Sequence, residues 1–210
     1  MKIINNYVLL ILFCSILFAQ NNDKLNNYVE KARVKVFNND YKGALEIFNK
    51  ALKEDPNSDA VYAVRGNLKF LMEDSIGAMN DLNMAIEINP TFSQAYRMRS
   101  MIKIATDKKG AFNDITIAIN LDPNNGYNYV SRGLLNFLIN KKQEAIYDFK
   151  KGIRSLNKVI LKNPKDGVAY LNRGTAKFYI DDTNGGCADM KKASEFGIRQ
   201  AMDFYNQNCK

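Results

Sequence analysis

The chain has 210 residues, of which 46% are hydrophobic and 25% charged, and this composition is typical of a globular rather than a disordered protein. Thirty basic and 22 acidic side chains give a net charge of +8, and we interpret these charges as dispersed over an ordinary soluble surface. Histidine is absent, which removes the commonest general base and the commonest zinc ligand.

The N-terminal stretch MKIINNYVLLILFCSILFAQ predicts a secretory signal peptide. One lysine precedes an apolar run from Tyr7 to Ala19, which is too short to cross about 30 Å of hydrocarbon comfortably. We expect cleavage after Ala19, so that residues 1–19 are removed and no transmembrane span remains. The protein is then exported to the periplasm or out of the cell, with at most an association with the envelope. A retained membrane anchor is the alternative, because Leu17 is large for its place before the cleavage site.

A pattern of about 34 residues recurs five times along the rest of the chain. Each copy has a tyrosine, a basic residue three positions later and then a small residue. The tyrosines are Tyr28, Tyr62, Tyr96, Tyr129 and Tyr170; the basic residues are Lys31, Arg65, Arg99, Arg132 and Arg173; the small residues are Ala32, Gly66, Ser100, Gly133 and Gly174.

The second half of each copy predicts another helix with a closely packed face. Small residues lie seven apart around a large apolar residue, as in Ala78, Leu82 and Ala85, and this spacing places all three on one helical face. A proline closes each of the first three copies and ends the helix there. These prolines are Pro56, Pro90 and Pro123.

Two antiparallel helices in each unit of this length resemble the tetratricopeptide repeat, which shares the period, the small residues and the proline. The resemblance implies an all-α fold, a right-handed superhelical solenoid of antiparallel helix pairs. We expect five repeats within residues 20–197, followed by a capping helix over 198–210. The expected repeats cover about 24–57, 58–91, 92–124, 125–165 and 166–197.

Four of the units carry an aspartate in the second helix, just before its large apolar residue, in step with the arginine of the first helix. A charge near a packed helix interface is costly unless it is paired, so we predict structural ion pairs between the two helices. A ladder of ligand-binding arginines is the alternative. The predicted pairs are Arg65 with Asp81, Arg99 with Asp114, Arg132 with Asp148, and Arg173 with Asp189.

The fourth unit contains seven additional residues in the region SLNKVILKNP. Seven residues add about two helical turns and nearly preserve the helical phase. We expect the added turns to pack on a neighbouring helix, and a projecting contact surface is the alternative.

The last two cysteines flank Gly197, where we expect a turn between the fifth unit and the final helix. Antiparallel packing around that turn brings Cys187 and Cys209 to the same end, which predicts a disulfide in an exported protein; two free thiols are the alternative. The chain resembles exported bacterial tetratricopeptide proteins whose final unit has a G-x-C-x-D motif and whose C-terminus carries a cysteine.

The sequence has no phosphate-binding glycine loop, and Cys187 has no histidine to activate it, so we predict a protein without catalytic activity, cofactor or metal. The resemblance implies instead that a protein or peptide partner binds the concave face; nucleic acid is not expected. Core positions are the alternative for some of these residues. The predicted groove residues are Asn67, Arg97, Met101, Tyr127, Val130, Leu134, Leu171 and Thr175.

Two other functions remain open at this stage. A ridge of lysines seven residues after the tyrosines could bind an anionic polymer, unless those lysines cover the helix interface or contact the aspartates. The protein could also be an architectural subunit of an envelope assembly, with the extended fourth unit as its contact. The ridge consists of Lys35, Lys69, Lys103 and Lys177, interrupted by Asn136.

Overall fold

The computed structural model describes residues 23–209, which include eleven helices and no strand. The predicted signal peptide and the residues up to 22 lie outside the described part. The helices are α1 Asp23–Phe37, α2 Tyr41–Glu54, α3 Asp59–Leu71, α4 Ser75–Ile88, α5 Ser93–Lys103, α6 Lys108–Leu121, α7 Gly126–Leu138, α8 Lys142–Lys162, α9 Gly167–Phe178, α10 Thr183–Glu195 and α11 Arg199–Asn208.

The described residues belong to two compact units, an N-terminal unit up to Asp114 and a C-terminal unit from Ile115, with the boundary inside α6. In the N-terminal unit α1 packs on α2 and α3 packs on α4. In the C-terminal unit α7 packs on α8, α9 on α10, and α10 on α11. Each unit is therefore built from helix pairs that are neighbours in the chain.

The turns inside the pairs have two recurring features. In four of the turns the residue before the cap position adopts a left-handed φ, as Glu73 does at 65°. In four of them an aspartate caps the second helix. The Asp74 carboxylate accepts a hydrogen bond from the Gly77 amide at 2.8 Å, and a Cβ on Gly77 would collide with that carboxylate. Glu73–Asp74 is thus an acidic pair in which the second residue is the cap. Asp40, Asp107 and Asp182 make the same cap with Gly43, Gly110 and Gly185.

The small residues allow the two helices of a pair to approach closely. A Cβ on Gly66 would lie 3.0 Å from the Ala78 carbonyl oxygen and 3.2 Å from the Asp81 Cβ. Ala78 and Leu82 are fully buried opposite it. The predicted packing face of the second helix is therefore the one that contacts the first.

The predicted extension of the fourth unit is a continuation of α8, which has 21 residues where α2 and α4 have 14. Leu156 and Ile160 are buried on its inner face, whereas Leu161 is 80% exposed. The added turns thus pack through one face, as predicted, and their other face is exposed.

The last helix closes the C-terminal unit. Gly197 has a φ of 86°, which places the chain reversal where the sequence predicts it. Ala201 and Phe204 of α11 join a buried cluster with Met190 of α10. Cys187 and Cys209 form a disulfide across this contact, with Cα atoms 5.6 Å apart.

None of the helices in the described residues is long and apolar enough to cross a membrane.

Candidate interaction surfaces

The ion-pair cluster between the two helices of a pair, which we call the Arg–Asp seam, is complete in the pair α3–α4. Arg65 donates through Nε and Nη2 to the two carboxylate oxygens of Asp81, at 2.8 and 2.7 Å. Lys69, one turn further along α3, donates through Nζ to the same carboxylate at 2.8 Å. The Asp81 side chain is only 5% exposed, so its charge is compensated where water cannot reach it.

The remaining sides of Arg65 also make packing contacts. Its Nη1 group donates to the Asn49 side-chain oxygen of α2 at 2.9 Å, and its guanidinium lies 5.4 Å from the Tyr62 ring centroid. Arg65 therefore links three consecutive helices and stacks on the tyrosine of its own repeat. This arrangement explains why tyrosine, arginine and aspartate recur together.

The seam recurs in the three later units, and the predicted pairs are present there with donor–acceptor distances of 2.6–2.9 Å. These pairs are Arg99 with Asp114, Arg132 with Asp148, and Arg173 with Asp189. Hydrogen bonds to these carboxylates raise the pKa of Arg132 and of Arg173 above the usual value. The bidentate geometry favours a structural role over a ligand-binding ladder.

The extension of α8 keeps the seam in register. Arg173 donates to the Asn157 oxygen at 2.7 Å, and the two residues are 16 apart, as are Arg65 and Asn49. The seven added residues therefore lie between Asp148 and Asn157 without changing the helical phase of the contact.

The predicted lysine ridge is not a free surface. Lys103 and Lys177 donate to Asp114 and Asp189 as Lys69 does to Asp81, and Lys35 pairs with Asp40. At the position where the ridge is interrupted, the Asn136 amide donates to Asp148 at 3.0 Å. The lysines thus contact the aspartates, which is the alternative that the sequence left open.

Seven of the eight predicted groove residues are buried, each no more than 4% exposed: Asn67, Arg97, Met101, Val130, Leu134, Leu171 and Thr175. Val130 packs on α8, because a Cβ on Gly152 would lie 2.7 Å from its Cγ2. Thr175 donates its hydroxyl to the Leu171 carbonyl. In the structure these side chains are therefore covered.

Tyr127 is the predicted groove residue that keeps partial exposure. Asp166 caps α9, because its carboxylate accepts a hydrogen bond from the Ala169 amide at 2.9 Å. Burial raises the pKa of the Asp166 carboxyl above its ordinary value, and the interactions with backbone amides and with Tyr127 partly offset this rise.

The positive charge is not dispersed, contrary to the interpretation of the composition. Residues 141–165 contain eight basic and two acidic side chains, a net charge of +6 out of +8 for the whole chain. Most of these side chains lie on the outer face of α8. A count of charge along the sequence, rather than over all of it, would have revealed this cluster.

Within the described residues, no group of three or more Cys, Asp or Glu side chains is arranged to hold a metal ion.

Neither a protein-family model nor a curated protein matches the sequence significantly, but solved structures do match the fold. The crystal structure of TTC0263, a tetratricopeptide repeat protein from Thermus thermophilus, is 15% identical and has a TM-score of 0.65, over 88% of this chain and 98% of that one. A tetratricopeptide repeat protein from Parabacteroides merdae is 16% identical with a TM-score of 0.51, over 87% of this chain and 86% of that one. MamA from Desulfovibrio magneticus RS-1, from residue 41 to its end, is 14% identical with a TM-score of 0.51, over 86% and 99% of the two chains.

These likenesses, together with the eleven helices of the described residues and their pairwise packing, confirm the predicted all-α fold of tetratricopeptide helix pairs.

Proposed function

We propose that this protein is a non-catalytic scaffold that binds a segment of another protein along the first helices of its repeats. The observation that carries the proposal is a contrast between repeated and non-repeated positions. Tyrosine, arginine, the small residue and aspartate recur because each copy packs in the same way, as the seams illustrate.

Two positions in each first helix do not repeat. The residue after the tyrosine is Ala63, Arg97, Val130 or Leu171, and the residue four further on is Asn67, Met101, Leu134 or Thr175. Helical phase places these positions on the side of the first helix opposite the seam arginine, and we call this side the first-helix face. Identical packing environments favour identical residues, so variation at these positions is the pattern expected for contacts with a non-repeating chain.

The chemistry of these positions suits a segment that is mainly apolar with a few polar groups. Because the side chains are buried, such a segment has to replace the contacts that cover them now, and the partly exposed Tyr127 is the proposed point of entry. The tetratricopeptide fold, which the resemblance associates with peptide binding, supports the same role.

We also propose that the scaffold works in the cell envelope after export. The support is the sequence pattern of residues 1–19 and the disulfide between Cys187 and Cys209, since disulfides persist in oxidising compartments. N-terminal sequencing of the protein isolated from its host should find Gln20 first. An N-terminus at Met1 would contradict cleavage.

The binding role is tested by affinity capture from envelope and periplasmic extracts with the tagged, oxidised protein, at low and at high salt. We expect the same few proteins at both salt concentrations, with recovery reduced by Tyr127→Ala and unchanged by Ile76→Ala. Ile76 is a matched control, since it is 79% exposed and lies at the start of α4. Equal recovery with both variants, or no defined protein, would contradict this role for the first-helix face.

A further inference from the structure

We propose that the outer face of α8, from Tyr147 to Lys165, docks on the surface of a lipid bilayer that contains anionic phospholipids. The proposal concerns a different surface from the first-helix face and does not depend on the partner proposed for it.

Four cations form a regular stripe along this face: Lys150, Arg154, Lys158 and Lys162. They recur at every fourth residue, so neighbours are about 6 Å apart along the helix axis and the stripe is about 18 Å long. All four side chains are exposed, and none of them forms an ion pair in the part of the chain that the structure describes. Their charge is therefore available to an anionic surface.

No exposed carboxylate interrupts the stripe. Asp148 is the acidic residue between Tyr147 and Lys165, and it is 1% exposed and bound by Arg132 and Asn136. The seam thus neutralises the acidic residue within the stretch from Tyr147 to Lys165, and the exposed Glu144 lies in the first turn of α8, before this stretch.

Two large apolar side chains lie within the cationic face. Tyr147 is 58% exposed and Leu161 is 80% exposed, and each is seven residues from Arg154, so all three point to the same side of α8. Leu156 and Ile160 on the opposite side are buried, which holds the helix against the rest of the C-terminal unit. The exposed face is therefore presented by a packed helix.

Cations interleaved with exposed apolar groups favour a bilayer over other polyanions. A nucleic acid would neutralise the cations but leave Leu161 in water, and an acidic protein would need a pocket matched to it. At a bilayer surface the leucine and tyrosine side chains enter the region below the phosphates, while the lysine and arginine stems extend to the headgroups.

The test measures binding of the purified chain to vesicles of phosphatidylcholine with or without phosphatidylglycerol, at low and at high salt. We expect binding that requires phosphatidylglycerol and weakens as salt rises. The triple variant Lys150→Glu, Arg154→Glu, Lys158→Glu should lose on the order of 100-fold in affinity, since each cation near an anionic leaflet contributes about fivefold. Leu161→Ser should weaken binding several-fold while leaving its salt dependence intact.

The matched control is Lys42→Glu, Lys50→Glu, Lys53→Glu, which makes the same change in net charge at exposed positions of α2. Every variant retains the same N-terminal residues, so any contribution from Tyr7 to Ala19 is common to all of them. The proposal is overturned if wild type ignores phosphatidylglycerol, or if the α2 control loses as much affinity as the α8 variant. It is also overturned if the α8 variant binds vesicles normally and instead loses an acidic protein or nucleic acid.

Discussion

The seams of α3–α4 and of α7–α8 hold the same bidentate bridge in different surroundings. In the first, Asp81 is bound by Arg65 and Lys69; in the second, Asp148 is bound by Arg132 and by the neutral amide of Asn136. The arginine–carboxylate distances are nevertheless 2.7–2.9 Å in both. The arginine pair is therefore the constant element, and the third donor can carry a charge or not.

The largest expected effect comes from removing the carboxylate where two cations depend on it. Asp81→Ala leaves Arg65 and Lys69 facing each other near the helix interface, and we expect a loss of about 3 kcal/mol in the free energy of unfolding. Urea denaturation measures it. The control Glu87→Ala, on the exposed side of the same helix, should leave the midpoint unchanged.

Asp148→Ala tests the comparison further, because it leaves only one cation, Arg132, without its carboxylate. We expect a loss of about 2 kcal/mol, smaller than for Asp81→Ala. Equal losses at both seams would show that the charge of the third donor does not matter. A negligible loss for Asp81→Ala would show that the seam does not stabilise the helix pair.

The C-terminal unit has a covalent link that the described part of the N-terminal unit lacks. Replacing both Cys187 and Cys209 by serine should lower stability by about 2 to 3 kcal/mol, because the disulfide closes a loop with a sequence separation of 22 residues. Hydrogen exchange should then increase in α10 and α11 and stay unchanged in α3 and α4. Uniform acceleration throughout the chain would contradict a local role for the disulfide.

A smaller effect tests whether an amide can replace the lysine of the seam. Lys69→Asn makes the second pair resemble the fourth, and we expect it to cost no more than about 1 kcal/mol because the amide still donates to Asp81. Lys69→Met removes the donor and should cost more. Identical denaturation curves for the two variants would contradict the role assigned to Asn136.

The smallest effect is a pH dependence at Asp166. Because burial raises its pKa in the folded state, the folded chain holds the proton more tightly than the unfolded chain does. The stability contributed by the protonated form is therefore lost as pH rises through the folded-state pKa. Asp166→Asn keeps a helix-capping side chain but no titrating group, so its stability should fall less over that range. Thermal melts at several pH values would contradict this if both proteins had the same pH dependence.

Much of this fold is predictable from the sequence because the residues that repeat each make a distinct contact. Tyr62, Arg65, Gly66 and Asp81 recur with their partners, and each recurrence marks a contact that the structure contains. The phase of the α8 extension is predictable for the same reason, since seven residues are nearly two whole turns.

The surfaces are less predictable, because a helical pattern indicates which residues share a face and not what covers that face. Leu134 and Arg97 have the spacing of groove residues and are nevertheless buried. The contacts between the lysines and the aspartates were predictable in principle, because Lys69 lies one helical turn from Arg65 and reaches the same carboxylate. The net charge of the whole chain does not show that most of the positive charge lies in and next to α8.

The central claim is that the first-helix face receives a partner segment, and site-specific photocrosslinking in the host tests it most directly. A photoreactive phenylalanine replaces Tyr127 in one protein and Ile76 in another, with melting curves to verify that both fold. We predict that the residue at 127 forms an adduct with a defined protein, in a yield that high salt does not reduce, and that the residue at 76 does not. Adducts of the same kind from both positions, or from neither, would contradict the claim.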